Sequence, residues 1–288
     1  MSIRNRETVA GDREAQPYVL YAIKYAHHVS RKSLIFLGGD SNDGPMALDY
    51  FVWLAIGNGR KVLIDTGFNK AVADRRGRDW MRCPSEAVQL VGVSAADITD
   101  VVITHLHFDH AGNLDKFPNA VFHIQDREMQ LATSRHMCIH HPTFAVSFEV
   151  EDVVHMVRHL FTRRLVFHNG DDELCPGIRL LHMPGHTPGM QVAEVMTARG
   201  PVLLISDASH FYANMNEGRP FFMYHCIEDV FASYRRIRDL ALTPDHIIPG
   251  HDPVVMDQYP APRPDMEGQV VRLDVPPRFS AVTQATTY

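Results

Sequence analysis

Short apolar runs closed by glycine, proline and aspartate recur along the chain and predict strands. Tyr18 to Tyr25 and Ser33 to Gly38 read as the first two. Gly38 to Pro45 is loop chemistry throughout. Phe51-Val52-Trp53-Leu54-Ala55-Ile56 and Lys61-Val62-Leu63-Ile64-Asp65 flank Gly57-Asn58-Gly59-Arg60, the pattern of a hairpin. Val101-Val102-Ile103-Thr104 reads as a buried strand and Val121 to Ile124 as another. After Gly170 come Ile178 to His182, Gln191 to Met196, Val202 to Ser206 and Ile247 to Pro249. Helical patterns fall between them. Ser85 to Val91 reads as a helix capped by Ser85, and Asp126 to about Arg135 as one capped by Asp126. Ile227 to Leu242 carries Ile227, Val230, Phe231, Tyr234, Ile237 and Leu240 at three-to-four spacing, an amphipathic helix.

These runs predict an α/β protein. Residues 1–16 form a polar arm, 17–258 the main domain, and about 127–168 a helical insertion or lid. The strand groups on either side of that insertion read as two similar halves feeding one edge. The tail, 259–288, carries Pro260, Pro262, Pro264, Pro276 and Pro277. It is expected to run extended over the surface or onto a partner chain, as in a homodimer, without core of its own.

Composition narrows the setting. With 288 residues, 45% hydrophobic and 22% charged, the chain resembles an ordinary globular protein. A net charge of −6 and the lack of a basic block argue against nucleic acid as a partner. Cys83, Cys138, Cys175 and Cys226 are scattered, which fits a reducing compartment rather than a disulfide framework. No apolar leader and no run of about 18 apolar residues is present, so a cytoplasmic protein without a membrane span is expected.

The chemistry concentrates in Thr104-His105-Leu106-His107-Phe108-Asp109-His110. Imidazole and carboxylate are the side chains that bind zinc and similar divalent ions. The cluster follows a strand, where ligand sites of open α/β sheets gather. Three other strand-end loops carry the same residue types: Pro184-Gly185-His186-Thr187-Pro188-Gly189, Ser206-Asp207 and Pro249-Gly250-His251. Together they supply five histidines and two aspartates, too many for one tetrahedral zinc. They suit two ions, about 3.5–4 Å apart, sharing one carboxylate and a hydroxide. Asp65, at a strand end beside Gly67, is read as a carboxylate that orients one of the histidines. His155 and His159 are four apart on a helix, but no glutamate motif accompanies them, and they are read as packing or surface residues. His140 and His141 are placed at the mouth of the cleft.

This set, His-x-His-x-Asp-His, Gly-His-Thr-Pro-Gly, a strand-end Asp and a Gly-His, resembles the metallo-β-lactamase superfamily over about Phe51 to Asp252. His105 to Asn113 and Ser206 to Ser209 look most like the N-acyl-homoserine lactonases and their pyridoxolactonase-type relatives. The resemblance implies an αββα sandwich with two metals, most simply Zn2+, at one edge. It implies His105, His107 and His186 on one ion, Asp109, His110 and His251 on the other, and Asp207 between them. It implies a small-molecule lactone substrate, opened by a metal-bridging hydroxide that attacks the ester carbonyl. Asp109 would pass a proton to the leaving oxygen. Lactonases of this branch usually carry a tyrosine three residues after the bridging aspartate. Here that position is His210, read as the carbonyl hydrogen-bond donor. Phe108, Phe211, Met215, Phe221, Phe222 and Met223 are candidates for an apolar pocket.

Other readings share the ligand set. A glyoxalase-like thioesterase would hydrolyse thioesters instead, and a related hydrolase would open another cyclic ester or amide. A phosphodiesterase or nuclease would want a basic channel. An inactive metal-binding relative has no need to keep seven ligands.

Overall fold

In the computed structural model, which describes residues 16–138 and 145–280, two β-sheets pack face to face with helices outside each. The large sheet holds β1 (Val19–Arg31), β2 (Pro45–Gly57), β3 (Arg60–Ile64), β4 (Asp79–Trp80), β5 (Asp100–Val102), β6 (Val121–Gln125), β7 (Leu165–His168) and β13 (Val270–Arg272). Its order is β13-β1-β2-β3-β5-β6-β7, with the two-residue β4 added to β1. The small sheet, in order β12-β11-β10-β9-β8, holds β8 (Asp172–Cys175), β9 (Ile178–His182), β10 (Gln191–Thr197), β11 (Gly200–Ser206) and β12 (Ile247–Pro249).

Alternation along the strands builds the layers. Phe51, Trp53 and Ala55 of β2 face the small sheet and meet Ile178, Leu180, Val195, Val202 and Leu204. Val52 and Leu54 face the other way, onto a core shared with Val72, Val88 and Met156 of the outer helices. The far face of the small sheet buries Leu181, Val192, Leu203 and Ile205 against Val230, Tyr234 and Ile237 of the helix Ile227–Leu240. Trp53 is fully buried, and its truncation to alanine would cost about 3–5 kcal/mol. The αββα sandwich expected from the sequence is therefore the fold.

β2 and β3 form the expected hairpin, with Asn58 and Gly59 at positive φ as a two-residue turn requires. Beyond it β3, β5, β6 and β7 run parallel, as do β11 and β12. The loops after β3, β5, β9, β11 and β12 gather at one edge, and the metal-type residues sit there.

Several elements differ from expectation. Ser33 to Gly38 is no strand: Lys32–Leu34 is a 3-10 turn, and Ile35 and Phe36 bury against Leu48 and Phe211 in a small side cluster. Apolar content marked burial there, not extension. The helix expected from Ser85 is an α-turn, Pro84–Ala87, running into a 3-10 turn, Val88–Val91, with Cys83 in the cap position. Asp126 lies inside its helix, Asp126–Ala132, which starts from Gln125.

The stretch at 127–168 ends in β7, a strand of the large sheet. Its helix Val150–Phe161 packs Met156 onto that sheet, and His159 stacks on Phe122. Residues 1–15, His140, His141 and 281–288 lie outside the described residues.

The tail expectation needs the larger correction. Tyr259, Met266, Val270, Val271 and Leu273 are buried, and β13 pairs antiparallel with Tyr21–Ile23 of β1. A three-residue strand is too short to show as periodicity among prolines, but β1 offers it an unpaired edge. No helix among the described residues is long and apolar enough to cross a membrane.

Candidate metal centre

Asp65 follows β3 in the left-handed region, at φ 62°. Its Oδ1 accepts the Thr104 backbone N–H at 2.7 Å and its Oδ2 accepts the Thr104 hydroxyl at 2.8 Å. Oδ2 also accepts Nδ1–H of His110 at 2.7 Å. One buried carboxylate so ties β3 to the loop after β5. Burial pushes the Asp65 carboxyl up, while His110 and the Thr104 hydrogen bonds pull it back.

The other histidines are held in the same way. Nδ1 of His186 donates to the Met223 carbonyl at 2.9 Å, and Nδ1 of His251 to the Asp49 carbonyl at 3.0 Å. Nδ1 of His105 lies 3.1 Å from the Thr104 hydroxyl, whose own proton serves Asp65. A carbonyl can only accept, so these contacts fix the proton on Nδ1 and leave each Nε2 as a lone pair aimed inward.

What the lone pairs face is Asp207. Its Oδ1 lies 2.8 Å from Nε2 of His251 and 3.3 Å from Nε2 of His110. Its Oδ2 lies 3.3 Å from Nε2 of His186, 3.7 Å from Nε2 of His105 and 3.0 Å from Nε2 of His210. The two oxygens thus divide the histidines into two sets. Asp109 joins the Oδ1 set, with its Oδ2 at 3.7 Å from His110 and 3.8 Å from His251. His107 joins the Oδ2 set, its Nδ1 at 2.9 Å from Nε2 of His186. Gly250 permits the approach, because a Cβ there would stand 2.7 Å from Asp207 Oδ1. The structure brings together all seven residues singled out as ligands, and adds His210 to them.

A divalent cation fits this cluster. Nε2 of His105, His107 and His110 and Oδ1 of Asp207 are buried with no hydrogen-bond partner, an arrangement that buried polar atoms rarely tolerate. With His251 donating from Nδ1, its Nε2 and Asp207 Oδ1 face each other as two electron-rich atoms, and a proton or a metal ion must stand between them. Burial holds His105, His107 and His186 below the ordinary histidine value, with His186 near 4, so they are neutral donors at pH 7. Burial disfavours the cation at His110 too, but Asp207, Asp109 and Asp65 outweigh it and raise that ring well above the ordinary value. The negative charge collected there is what a cation would answer.

His210 differs from the sequence reading. Burial pulls its pKa down, so the ring is neutral with one proton. That proton belongs on Nε2, beside the Asp207 carboxylate, which leaves Nδ1 as a buried lone pair without a partner. Nδ1 can donate to a carbonyl only when Nε2 carries no proton. The ring is sandwiched against Phe221, at 3.7 Å between centroids. A cavity of about 10 Å³, room for one water, lies among His186, Asp207, His210, Phe221 and Tyr234.

Of the apolar candidates, Phe211 and Met215 are core residues. Phe108 stacks on Phe68 beneath the Arg76 guanidinium, and Phe222 is exposed. The acceptors Asp49 and Met223 act through backbone carbonyls, for which a sequence holds no signal.

A family model described as the metallo-beta-lactamase superfamily matches residues 46–251. An N-acyl homoserine lactonase from Bacillus sp is 31% identical over 164 residues, which is 56% of this chain and 59% of that protein. The N-acyl homoserine lactonase AttM of Azorhizobium caulinodans is 31% identical over 183 residues, 60% of this chain and 64% of that protein. The chain thus spans about three fifths of the length of the curated relatives it matches. Among solved structures, a quorum-quenching N-acyl homoserine lactone lactonase superposes with a TM-score of 0.68 at 25% identity, over 83% of this chain and 94% of that one. The dizinc quorum-quenching lactonase AidC, with a product bound, superposes with a TM-score of 0.66 at 17% identity, over 93% of this chain and 100% of that one, a likeness of fold.

Proposed function

The chain belongs to the metallo-beta-lactamase superfamily, and from that membership we propose that it is a metal-dependent hydrolase opening a lactone ring, either an N-acyl-homoserine lactone or a catabolic lactone. The observation that carries the reading is the division of Asp207, one oxygen toward His110 and His251 and the other toward His105 and His186. The lactonase relatives support the choice of substrate class.

In this reading His105, His107 and His186 hold one ion and Asp109, His110 and His251 the other, with Asp207 shared. Neutral imidazole and carboxylate favour zinc. When bound, two divalent cations make water a nucleophile at neutral pH and polarise an ester carbonyl. The protein's own groups do the rest. Asp65, Met223 and Asp49 keep the protons of His110, His186 and His251 on Nδ1. The Asp109 side chain is less deeply buried than Asp207 and keeps one face toward solvent. It is the group placed to take up the proton that the attacking water gives up and to hand it to the ring oxygen as the C–O bond breaks. Its main chain is pinned by the Tyr25 hydroxyl, which donates to the Asp109 carbonyl at 2.8 Å. His210 steadies Asp207 through Nε2, and its ring lines the small cavity beside Phe221.

The test is metal analysis of the purified chain together with a pH-indicator assay. The panel holds acyl-homoserine lactones, aromatic-ring lactones, acyl-glutathione and acyl-CoA. About two metal equivalents and turnover of lactones are expected. A metal-loaded protein that opens no lactone, or cleaves only the thioesters, overturns the proposal.

A further inference from the structure

Glu128 lies in the first turn of the helix Asp126–Ala132 and is completely buried. Its Oε1 accepts the backbone N–H of Leu106 at 3.0 Å. Its Oε2 accepts the Thr187 hydroxyl at 2.7 Å and the Gly189 backbone N–H at 3.2 Å. Leu106 stands between His105 and His107, and Thr187 follows His186. The first loop leaves the large sheet and the second joins two strands of the small one. A single carboxylate therefore joins the two loops that carry His105, His107 and His186.

The contact is built rather than incidental. A Cβ at position 189 would stand 2.3 Å from the Glu128 backbone nitrogen, so only glycine lets that loop reach the helix. All three partners are donors and none is a cation, so the carboxylate is buried without an ion pair to offset its desolvation. An apolar residue could fill the volume. It could not hold two loop N–H groups at a fixed spacing.

We propose that Glu128 is a positioning residue that sets the distance between the His105–His107 loop and the His186 loop, and so tunes metal affinity at that half of the centre. The proposal rests on the metal-centre reading above. It concerns geometry: a binding constellation must be held within about 0.5 Å to work.

Glu128→Gln is the discriminating variant. It keeps the shape but offers one acceptor oxygen instead of two, so one backbone N–H, of Leu106 or of Gly189, faces an amide NH2 and loses its partner. The full chain and this variant are stripped of metal and titrated with zinc against a chromophoric chelator, and with cobalt by visible absorption. Glu128→Gln is expected to bind zinc about 10–100-fold more weakly, as when other groups that hold a ligand in place are removed. The cobalt bands should shift, and kcat at limiting zinc should fall and recover at saturating zinc. The rise in Tm on adding zinc should shrink more than the Tm of the metal-free protein does, which a merely structural role would not produce.

Thr187→Val removes one contact and leaves the carboxylate with its two backbone partners. It should show a smaller loss of the same kind, and serves if Glu128→Gln does not fold. Wild-type zinc affinity and cobalt spectrum in the variants would overturn the positioning role alone. A wild-type chain that takes up no zinc would overturn the metal-centre reading and this proposal with it. A wild-type chain that binds zinc but opens no lactone would overturn only the proposed substrate, since the metal titrations stand without it.

Discussion

Asp65 Oδ2 lies 2.7 Å from Nδ1 of His110, and both side chains are buried. This contact decides which ring nitrogen of His110 is free to face Asp207. In Asp65→Asn the amide NH2 can occupy the Oδ2 position. His110 would then accept on Nδ1 and carry its proton on Nε2, blocking the inward lone pair. Metal affinity at the Asp109, His110 and His251 position should fall about 10–100-fold, measured by chelator competition. An unchanged second binding constant would mean that the contact serves only the fold.

The ligands themselves should cost more. His107→Ala removes a ring of the Oδ2 set, and Asp207→Asn leaves a single oxygen where two sets of histidines converge. Each should abolish lactone hydrolysis and lower the metal content, beyond the ~10–100-fold that loss of an outer partner costs. Elemental analysis beside the pH-indicator assay reads both. Full activity in either variant would remove a two-ion mechanism.

The centre was legible in the sequence because its ligands sit at strand ends, where few residues separate a hydrophobic run from a histidine or aspartate. Asp65 could be read for the same reason, as a carboxylate beside a glycine turn. Glu128 could not: a glutamate in the first turn of a helix looks like any other, and only the packing of two distant loops onto that helix reveals its use. Ile35 and Phe36 misled because burial in an irregular cluster has the same composition as a strand. Val270 and Val271 were hidden by their prolines, although β1 supplies the pairing that makes them a strand. Which nitrogen of His210 carries the proton depends on Asp207, 3.0 Å away, a contact that no sequence displays.

His210→Ala separates two roles. If Nδ1 serves the carbonyl, turnover should slow by roughly 10²-fold, as when one donor to a developing oxyanion is removed. The metal content should stay at the wild-type level, because all seven proposed ligands remain. Steady-state kinetics and elemental analysis on the same preparation decide it. Unchanged kinetics would leave His210 as a prop for Asp207, and lost metal would make it a ligand.

Asp152 offers a test remote from the centre. It is buried in the first turn of the helix Val150–Phe161. Burial, reinforced by Glu149 and Glu151, pushes its carboxyl up to about 8 against the pull of Arg76 and Arg75. The ordinary value for an aspartate is 3.8, so between these two the folded chain keeps a proton that the unfolded chain releases. The stability this proton contributes is complete below pH 4 and is lost as the pH climbs toward 8. Asp152→Asn is neutral at every pH and escapes that loss. The variant should therefore gain on wild type between pH 5 and pH 9. Even ~1–2 kcal/mol of linkage would raise its relative Tm by roughly 2–8 °C. Histidines of the centre titrate in both proteins and cancel in the difference, provided both are fully loaded with zinc. Melting curves that stay parallel across that range would mean that Asp152 is already ionised in the folded chain, held by Arg75 and Arg76 more strongly than burial opposes it.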